Sequence, residues 1–437
     1  MDSYFRQLNY YKLMTMQLNN NSIDEFLNQN KLTASNIDEQ KFINTFINHM
    51  DLGLNKESSS LAMLNSYIDS DTPIITNKNI IVLDAGGTNL RVCLVNFDEK
   101  KQANIEYFST HSMPGLSEHL SQSDFYARLC EYLQPVIHLS DTIGFCFSYP
   151  TEINEEKDGR LLYWTKEINV PEMVGQWIGQ GLLNALHHQG HSNKRICLLN
   201  DTVATLLAGR PQGESLDCQQ FIGFILGTGT NAAFVANDGQ SNKIFNLESG
   251  DFDELILGDI DRQLDRSTSN PGCYLFEKMI SGCYLGELVT MALKQATIDC
   301  VIEDIWPFTT LPAAMLTTAL VSLLLASPEN FNNEYFQNNI DSTTLVNINH
   351  IAQSIVDRAA KLTALSLSAI MLASQKHNQD KGQSICINLD GSTYFKLHGF
   401  SDSCKKYMEQ LNQSHGINYH LISTDNAPII GAAIAAM

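Results

Sequence analysis

Apolar residues in this chain recur in two patterns. Short, nearly unbroken apolar runs bounded by Gly, Asn or Pro predict buried strands. "NIIVLDAGGTNLRVCLVNF" holds two such runs around a turn from Gly86 to Asn89, a hairpin whose glycines supply positive φ or close backbone approach. "TIGFCFSYP" predicts a strand ended by Pro150, "RICLLND" a further strand, and "TVATLLAG" the helix after it. "FIGFILGTGTNAAFVAN" repeats the order strand, Gly/Thr turn, strand, and "SICINLDGSTYFKL" predicts a strand, a glycine turn and a strand. Elsewhere the spacing is helical. The first part, to about Asp71, reads as helical and Asn-rich, with Phe42, Ile43, Phe46, Ile47 and Met50 on one face. "STSNPGCYLFEKMISGCYLGELV" predicts a capped turn into an amphipathic helix, "IAQSIVDRAAKLTALSLSAIMLAS" a long helix of small residues, and "PIIGAAIAAM" a terminal one. Strands mixed with helices throughout predict an α/β protein.

"LDAGGTNLRV" and "LGTGTNAAFV" look like two copies of one device. They predict two related lobes, each offering a glycine-rich hairpin tip. Two tips facing each other across a cleft could grip a polyphosphate, because successive backbone N–H groups form an anion-binding nest. Composition sharpens this picture. The net charge of -20 and a pI near 4.9 argue against nucleic acid and against a polybasic membrane contact. A bound polyanion would therefore need local amides, a few cations or a metal ion.

Other patterns point to ordinary roles. The uncharged run from Trp306 to Ser327 lacks basic flanks and reads as a buried or part-buried helix, not a membrane span. The 10 cysteines form no CxxC pair, which suits reduced, buried thiols. The start, "MDSYFRQLNYYKLMTMQ", shows no basic stretch followed by an apolar one, so no signal peptide is expected. His187, His188 and His191 have metal-ligand spacing but no supporting context, and read as solvated or capping residues. The loop GxxxxGK[ST] is absent. Asp84, before the first glycines, could hold Mg²⁺ directly or through water while Arg91 takes phosphate oxygens; it could equally accept N–H bonds of its own turn. Asp201 interrupts the apolar run "LLNDTVATLLAG" at a strand-to-helix junction, where a carboxylate can cap the helix or serve as a base. Glu248 and Glu277, which follow apolar stretches, read alone as ordinary surface or capping carboxylates, and Thr165 and Lys166 as a plain strand end; a sugar's hydroxyls need a polar set of this kind, but spacing along the chain does not bring these segments together.

Taken in order, these segments resemble the hexokinase family of sugar kinases. "LDAGGTNLRV" resembles its first phosphate hairpin and "GFILGTGTNAAF" its second. "FSYP", "WTK", "NLESGDF" and "NPGCYLFEKMISGCYLGELV" resemble its sugar segments, "LLNDTVAT" its catalytic segment and "LDGSTY" its adenosine segment. The resemblance spans nearly the whole chain and implies a two-lobed actin-like ATPase (ribonuclease H-like) fold with a cleft. The small lobe would run from 72 to 199 with the C-terminal helix, about 427–437; the large lobe would comprise 1–71 and 200–426. The implied activity is transfer of the γ-phosphate of ATP to the 6-hydroxyl of glucose or a related hexose, in the cytoplasm, with Mg²⁺. A catalytically weak sugar sensor on the same fold is the alternative. By the same resemblance, Asp201 would be the general base and Lys166 would offset charge near the transferred phosphoryl group. Ser148, Thr165, Lys166, Asn200, Asn231, Glu248 and Glu277 would contact the sugar. Gly86, Gly87, Thr88, Asn89 and Arg91, with Gly227, Thr228 and Gly229, would hold phosphates. Gly391 and Ser392 would lie near adenosine, and Asp84 would serve the Mg²⁺. Partners beyond hexose and ATP are not implied, and neither is an oligomeric state. Three departures from the family pattern stand out. "ESGDF" replaces the common "EWGAF", so that Asp251 adds a negative charge near the cleft. "NAPIIGAA" replaces "DGSGKGAA", with Pro428 and Ile429 at small positions and Ile430 at a basic one. Tyr149 stands where Phe is common.

Overall fold

The computed structural model describes residues 22–164, 168–237, 240–303, 315–335, 340–377 and 383–437. The N-terminal part is helical over 22–29 and Glu39–Leu54, but it is not helical throughout. Leu64–Asp69 form strand β1, an edge strand paired antiparallel to a later strand across an irregularity between Asn65 and Asp69. Tyr67 sits inside that bulge at φ 55. Its polar sequence, "LNSYID", hides the strand from a local reading, because the pairing partner lies far along the chain.

The two glycine hairpins each open a sheet. β2 (Ile80–Ala85) turns into β3 (Asn89–Phe97), and β4 (Ala103–Ser112) continues antiparallel. β5 (Thr142–Phe147) and, after the small hairpin of β6 (Thr151–Ile153) and β7 (Gly159–Leu161), β8 (Arg195–Leu199) add in parallel on the other side of β2. The order is β4-β3-β2-β5-β8. In the second sheet β9 (Cys218–Leu226), β10 (Thr230–Asn237) and β11 (Asn242–Asn246) are antiparallel, and β12 (Ser384–Asp390) and β13 (Tyr419–Ile422) add in parallel beside β9. With β1 at its edge, the order is β1-β11-β10-β9-β12-β13. Leaving β1 aside, both sheets place their strands 3-2-1-4-5, so the recurrence in the sequence is a recurrence of architecture.

The helix after each fifth strand crosses to the other sheet. Asp201–Ser215 follows β8 yet packs on β9, β10 and β12, while Ala427–Ala435 follows β13 yet packs on β2, β5 and β8. The two helices also pack on each other. Gly431 lies where a β-carbon would strike the Ala204 backbone, and Gly144 lies likewise against Ala432. Their shared apolar layer, including Val203, Leu207, Ile429 and Ala433, is continuous with one face of each sheet. The outer face of the first sheet is covered by Phe125, Leu129 and Leu182 from helices Gln122–Leu133 and Ile178–His188. The outer face of the second is covered by the 36-residue helix Ser342–His377 and by Phe400–His415.

Several expectations need correction. "NPGCYLFEKMISGCYLGELV" is two helices, Leu275–Ile280 and Leu285–Ile298, broken at Ser281–Tyr284. The break exists because Gly282 and Cys283 donate their N–H groups to Gly227 and Thr228 instead of to the helix. After β12 the chain forms the short helix Ser392–Lys396, not a second strand, with Tyr394 buried at its centre. Gly86 and Gly87 do not adopt positive φ. The cysteines are not all buried: Cys273, Cys283 and Cys300 are exposed. Of the run from Trp306 to Ser327, the described part is helical over Thr318–Ala326, with Val321, Leu324 and Leu325 buried. No helix among the described residues is long and apolar enough to cross a membrane. His187 and His188 end an exposed helix terminus, and His191 follows it.

Candidate active site

The carboxyl ends of the parallel strands meet in the cleft between the sheets. β2 carries Asp84 one residue before its end, β8 runs into Asn200 and Asp201, and β12 ends with Asp390. In open α/β sheets this is where ligands bind. Asp84 is buried and accepts from Arg91 Nη1 at 2.7 Å, and among the described residues no amide of its own turn donates to it. Burial pushes the Asp84 carboxyl above its ordinary range against the pull of Arg91, and the nearby Asp201 charge adds to the rise. Asp390 moves the same way, through burial first and Asp201 afterwards. Each of these side chains therefore feels the charge of Asp201.

The capping question at Asp201 has a definite answer. Asn200 is the cap: its φ is -73, its ψ is 153, and its Oδ1 accepts from Thr202 N–H at 2.8 Å. Asp201 is the first helical residue, and among the described residues its carboxylate meets only the Thr202 hydroxyl, at 3.4 Å. A negative side chain is favoured in that first turn by the helix dipole, and the carboxylate is not consumed by the backbone.

Both hairpin tips are held from behind by their carbonyls. In the first, Gly86 N–H donates to Asn89 at 3.0 Å, Tyr149 hydroxyl donates to the Gly86 carbonyl at 2.7 Å, and Met113 N–H donates to Thr88 at 3.0 Å. In the second, the Gly227 carbonyl accepts from Gly282 N–H at 2.9 Å and from Thr393 Oγ1 at 2.7 Å, and the Thr228 carbonyl accepts from Cys283 N–H at 3.0 Å. The N–H groups of Gly87, Thr88, Thr228 and Gly229 meet no acceptor among the described residues. Asn89 and Thr88 are exposed at one tip, Thr228 at the other. Gly391 has φ 108 and backs directly onto the Leu226–Gly227 peptide, while Ser392 is exposed beside it.

A second cluster of polar side chains adjoins the second hairpin tip. Asn231 Nδ2 donates to Asn246 Oδ1 at 2.7 Å, and Asn246 Nδ2 donates to Glu248 Oε1 at 2.6 Å. Glu248 holds φ 57 and ψ 49, an uncommon conformation for a residue other than glycine. Burial, against the pull of Asn246, pushes its carboxyl up to about 7, with Asp251, Asp201 and Glu277 adding to the rise. Glu277 accepts Thr230 N–H at 2.9 Å and is also pushed up by burial. A β-carbon on Gly229 would lie 2.5 Å from Glu277 Oε2, so the glycine makes room for this contact. Asp251 accepts from Tyr274 N–H at 3.2 Å, and the Tyr274 hydroxyl meets the Tyr163 hydroxyl at 2.7 Å, joining the two sides of the cleft. One cavity between the sheets is lined by Ser66, Tyr149, Asn200, Asn246 and Glu248. Ser148 directly follows β5, its N–H donating to the Ala85 carbonyl at 3.1 Å.

Among the residues singled out in the sequence, Thr165 and Lys166 lie outside the described residues. Asn246 and Asp390 were missed. Asp390 carries a visible signal, since "NLDG" closes an apolar run on Leu-Asp ahead of glycine, as "VLDAGG" does. Asn246 carries only the oddity of a buried amide at the end of an apolar strand.

Comparisons with known proteins agree with this geometry. Two hexokinase family models match the chain, one over residues 22–210 and one over 221–437. The gap between them falls where the Asp201 helix ends and β9 begins. Hexokinase-5 of Oryza sativa subsp. japonica is 30% identical over 410 residues, 84% of this chain and 79% of that protein. Hexokinase-2 of Schizosaccharomyces pombe is 29% identical over 428 residues, 88% of this chain and 90% of that protein. The solved structure of a hexokinase from Schistosoma mansoni complexed with glucose shares the fold, with a TM-score of 0.77 at 23% identity over 96% of this chain and 99% of that one. On the matched family models and on relatives aligned along most of its length, the chain belongs to the hexokinase family.

Proposed function

We propose that the chain transfers the γ-phosphate of ATP to the 6-hydroxyl of glucose or a related hexose. The observation that supports this is that the charge of Asp201 acts on Asp84 before the first hairpin tip, on Asp390 beside Gly391 at the second, and on Glu248 in the amide and carboxylate cluster. Asp201 orients the 6-hydroxyl and takes its proton as the bond to phosphorus forms. Asn200, Asn231, Glu248 and Glu277 bind the ring hydroxyls together with Ser148, and the family resemblance adds Thr165 and Lys166 to this set. Gly86, Gly87, Thr88, Asn89 and Arg91 hold phosphates from one lobe; Gly227, Thr228 and Gly229 hold them from the other, with Gly391 and Ser392 beside adenosine. Phosphoryl transfer depends mainly on positioning and charge stabilisation, which such a cleft supplies.

Mg²⁺ belongs to the same reading. Asp84, Asp201 and Asp390 are hard oxygen donors, which suit this ion. Among the described residues they do not form a closed cluster, since only His49, Asp253 and Glu254 bring three ligand atoms within 4.8 Å. Water-bridged binding at Asp84 fits that spacing. When bound with ATP, the ion offsets phosphate charge; the protein's part is to hold its hydration shell and to keep Arg91 beside Asp84. The lobes divide at 72–199 with about 427–437, and 1–71 with 200–426. Separate cores on the two sheets and the packing of Ala427–Ala435 on the first sheet support these limits. Ten free cysteines support a reducing compartment such as the cytoplasm.

A coupled assay of hexose-dependent ADP formation, run over several hexoses and nucleotides, tests the reading. Hexose-stimulated turnover with ATP is expected. A panel inactive with every hexose overturns it.

A further inference from the structure

We infer that Tyr149 and Thr393 are positioning residues that aim the phosphate-binding amides, one in each lobe. The inference rests on the proposed kinase reading and adds residues to which that reading gives no role.

The argument starts from the peptide unit. In a trans peptide the C=O of one residue and the N–H of the next point to opposite sides of one plane. Whatever grips the Gly86 carbonyl therefore sets the direction of the Gly87 N–H. That grip is the Tyr149 hydroxyl, at 2.7 Å. The Gly86–Gly87 peptide needs it, because glycine on both sides leaves the plane free to rotate. Neighbouring hydrogen bonds hold only its flanks: Gly86 N–H to Asn89, and Thr88 carbonyl from Met113 N–H. The tyrosine ring is itself fixed. It is 2% exposed and wedged between Phe147 and Trp164, each with its ring centre 4.9 Å away. Burial raises the phenol above its ordinary range, so it remains a donor at working pH.

The second tip repeats the arrangement with different chemistry. Thr393 Oγ1 grips the Gly227 carbonyl at 2.7 Å and so sets the direction of the Thr228 N–H. Gly282 N–H shares that carbonyl at 2.9 Å. Each tip is thus pinned by one side-chain hydroxyl, and each hydroxyl comes from an element outside its hairpin. Tyr149 follows β5, and Thr393 lies in the helix after β12. β5 and β12 are the fourth strands of their sheets, so the two donors occupy matching places in the repeat.

The test uses Tyr149→Phe and Thr393→Val, each of which deletes the hydroxyl at nearly constant volume. ATP affinity is measured by calorimetry, hexose affinity by intrinsic fluorescence, and turnover by the coupled assay. Each variant is expected to raise the KM and Kd for ATP about three- to tenfold, the range of a single hydrogen bond, with hexose Kd within about twofold of wild type. The double variant is expected to multiply the two effects, because the residues hold different tips. A merely structural role would lower the melting temperature and weaken both substrates together, and that result overturns the proposal. ATP affinity within twofold of wild type in both variants also overturns it. Should Tyr149→Phe fold poorly, Thr393→Val decides by the same measures. Wild-type protein without transfer would overturn the kinase reading instead, while ATP binding would still report on the tips.

Discussion

Asp201 and Glu248 are carboxylates of one cleft with opposite preparation. Asp201 stands at the start of a helix whose cap is supplied by Asn200, so its own oxygens stay available. Asp201→Ala is expected to leave the fold and hexose binding in place while lowering kcat by about 10²–10⁴-fold or more, the range for a general base. Steady-state kinetics with a parallel hexose-binding titration checks this, and near-normal turnover would refute the base assignment. Glu248 has a folded pKa of about 7 against an ordinary 4.5, chiefly through burial. The native state therefore holds more protons than the unfolded chain between those values, and unfolding free energy falls as pH rises through that window. The stabilisation from the protonated side chain is full below 4.5 and lost above 7. Glu248→Gln is expected to remove this part of the slope, on the order of 1–3 kcal/mol. Melting temperatures of free wild type and variant from pH 4.5 to 7.5 measure it. Asp84, Glu277 and Asp390 shift in the same direction, so the difference between the two proteins is the readout.

At the scale of elements, the second hairpin depends on segments distant in sequence. The break between helices Leu275–Ile280 and Leu285–Ile298 turns two amides onto the hairpin carbonyls. No periodicity announces that break, because both halves keep a helical pattern and the competing acceptors belong to β9–β10. Gly391 shows the same dependence. Its φ of 108 and its approach to the Leu226 backbone leave no place for a β-carbon. Gly391→Ala is expected to cost on the order of 1–3 kcal/mol in urea unfolding and to weaken ATP by displacing Gly227. ATP affinity equal to wild type would separate this glycine from the nucleotide site.

Across the whole molecule, the two crossing helices link the sheets, and Tyr163 meets Tyr274 where the sides of the cleft touch. A site assembled from both lobes is complete only when they are correctly placed, and a closed cleft keeps water from the phosphate. ATP hydrolysis without hexose is therefore expected to run at least about a hundredfold slower than transfer. ADP release with and without sugar measures the ratio; comparable rates would show that closure does not protect the phosphate.

The sequence by itself determined the class of fold, the repeated hairpin device, the long helix and the identity of most polar groups in the cleft. These are local matters: apolar runs, glycine turns and a strand-to-helix junction are decided by neighbouring residues. The two glycine tips and the junctions that carry Asp84 and Asp201 were legible for that reason, while Glu248 and the roles of all three carboxylates entered through the resemblance to the hexokinase family. Only the tertiary structure decided which hydroxyl grips Gly86, why Asn200 and not Asp201 caps the helix, where Asn246 and Asp390 belong, and that Leu64–Asp69 is a strand. Each of these rests on a partner tens to hundreds of residues away, or on which of two adjacent side chains reaches an amide. Hydrogen bonding of that kind is set by three-dimensional reach, which spacing along the chain does not encode.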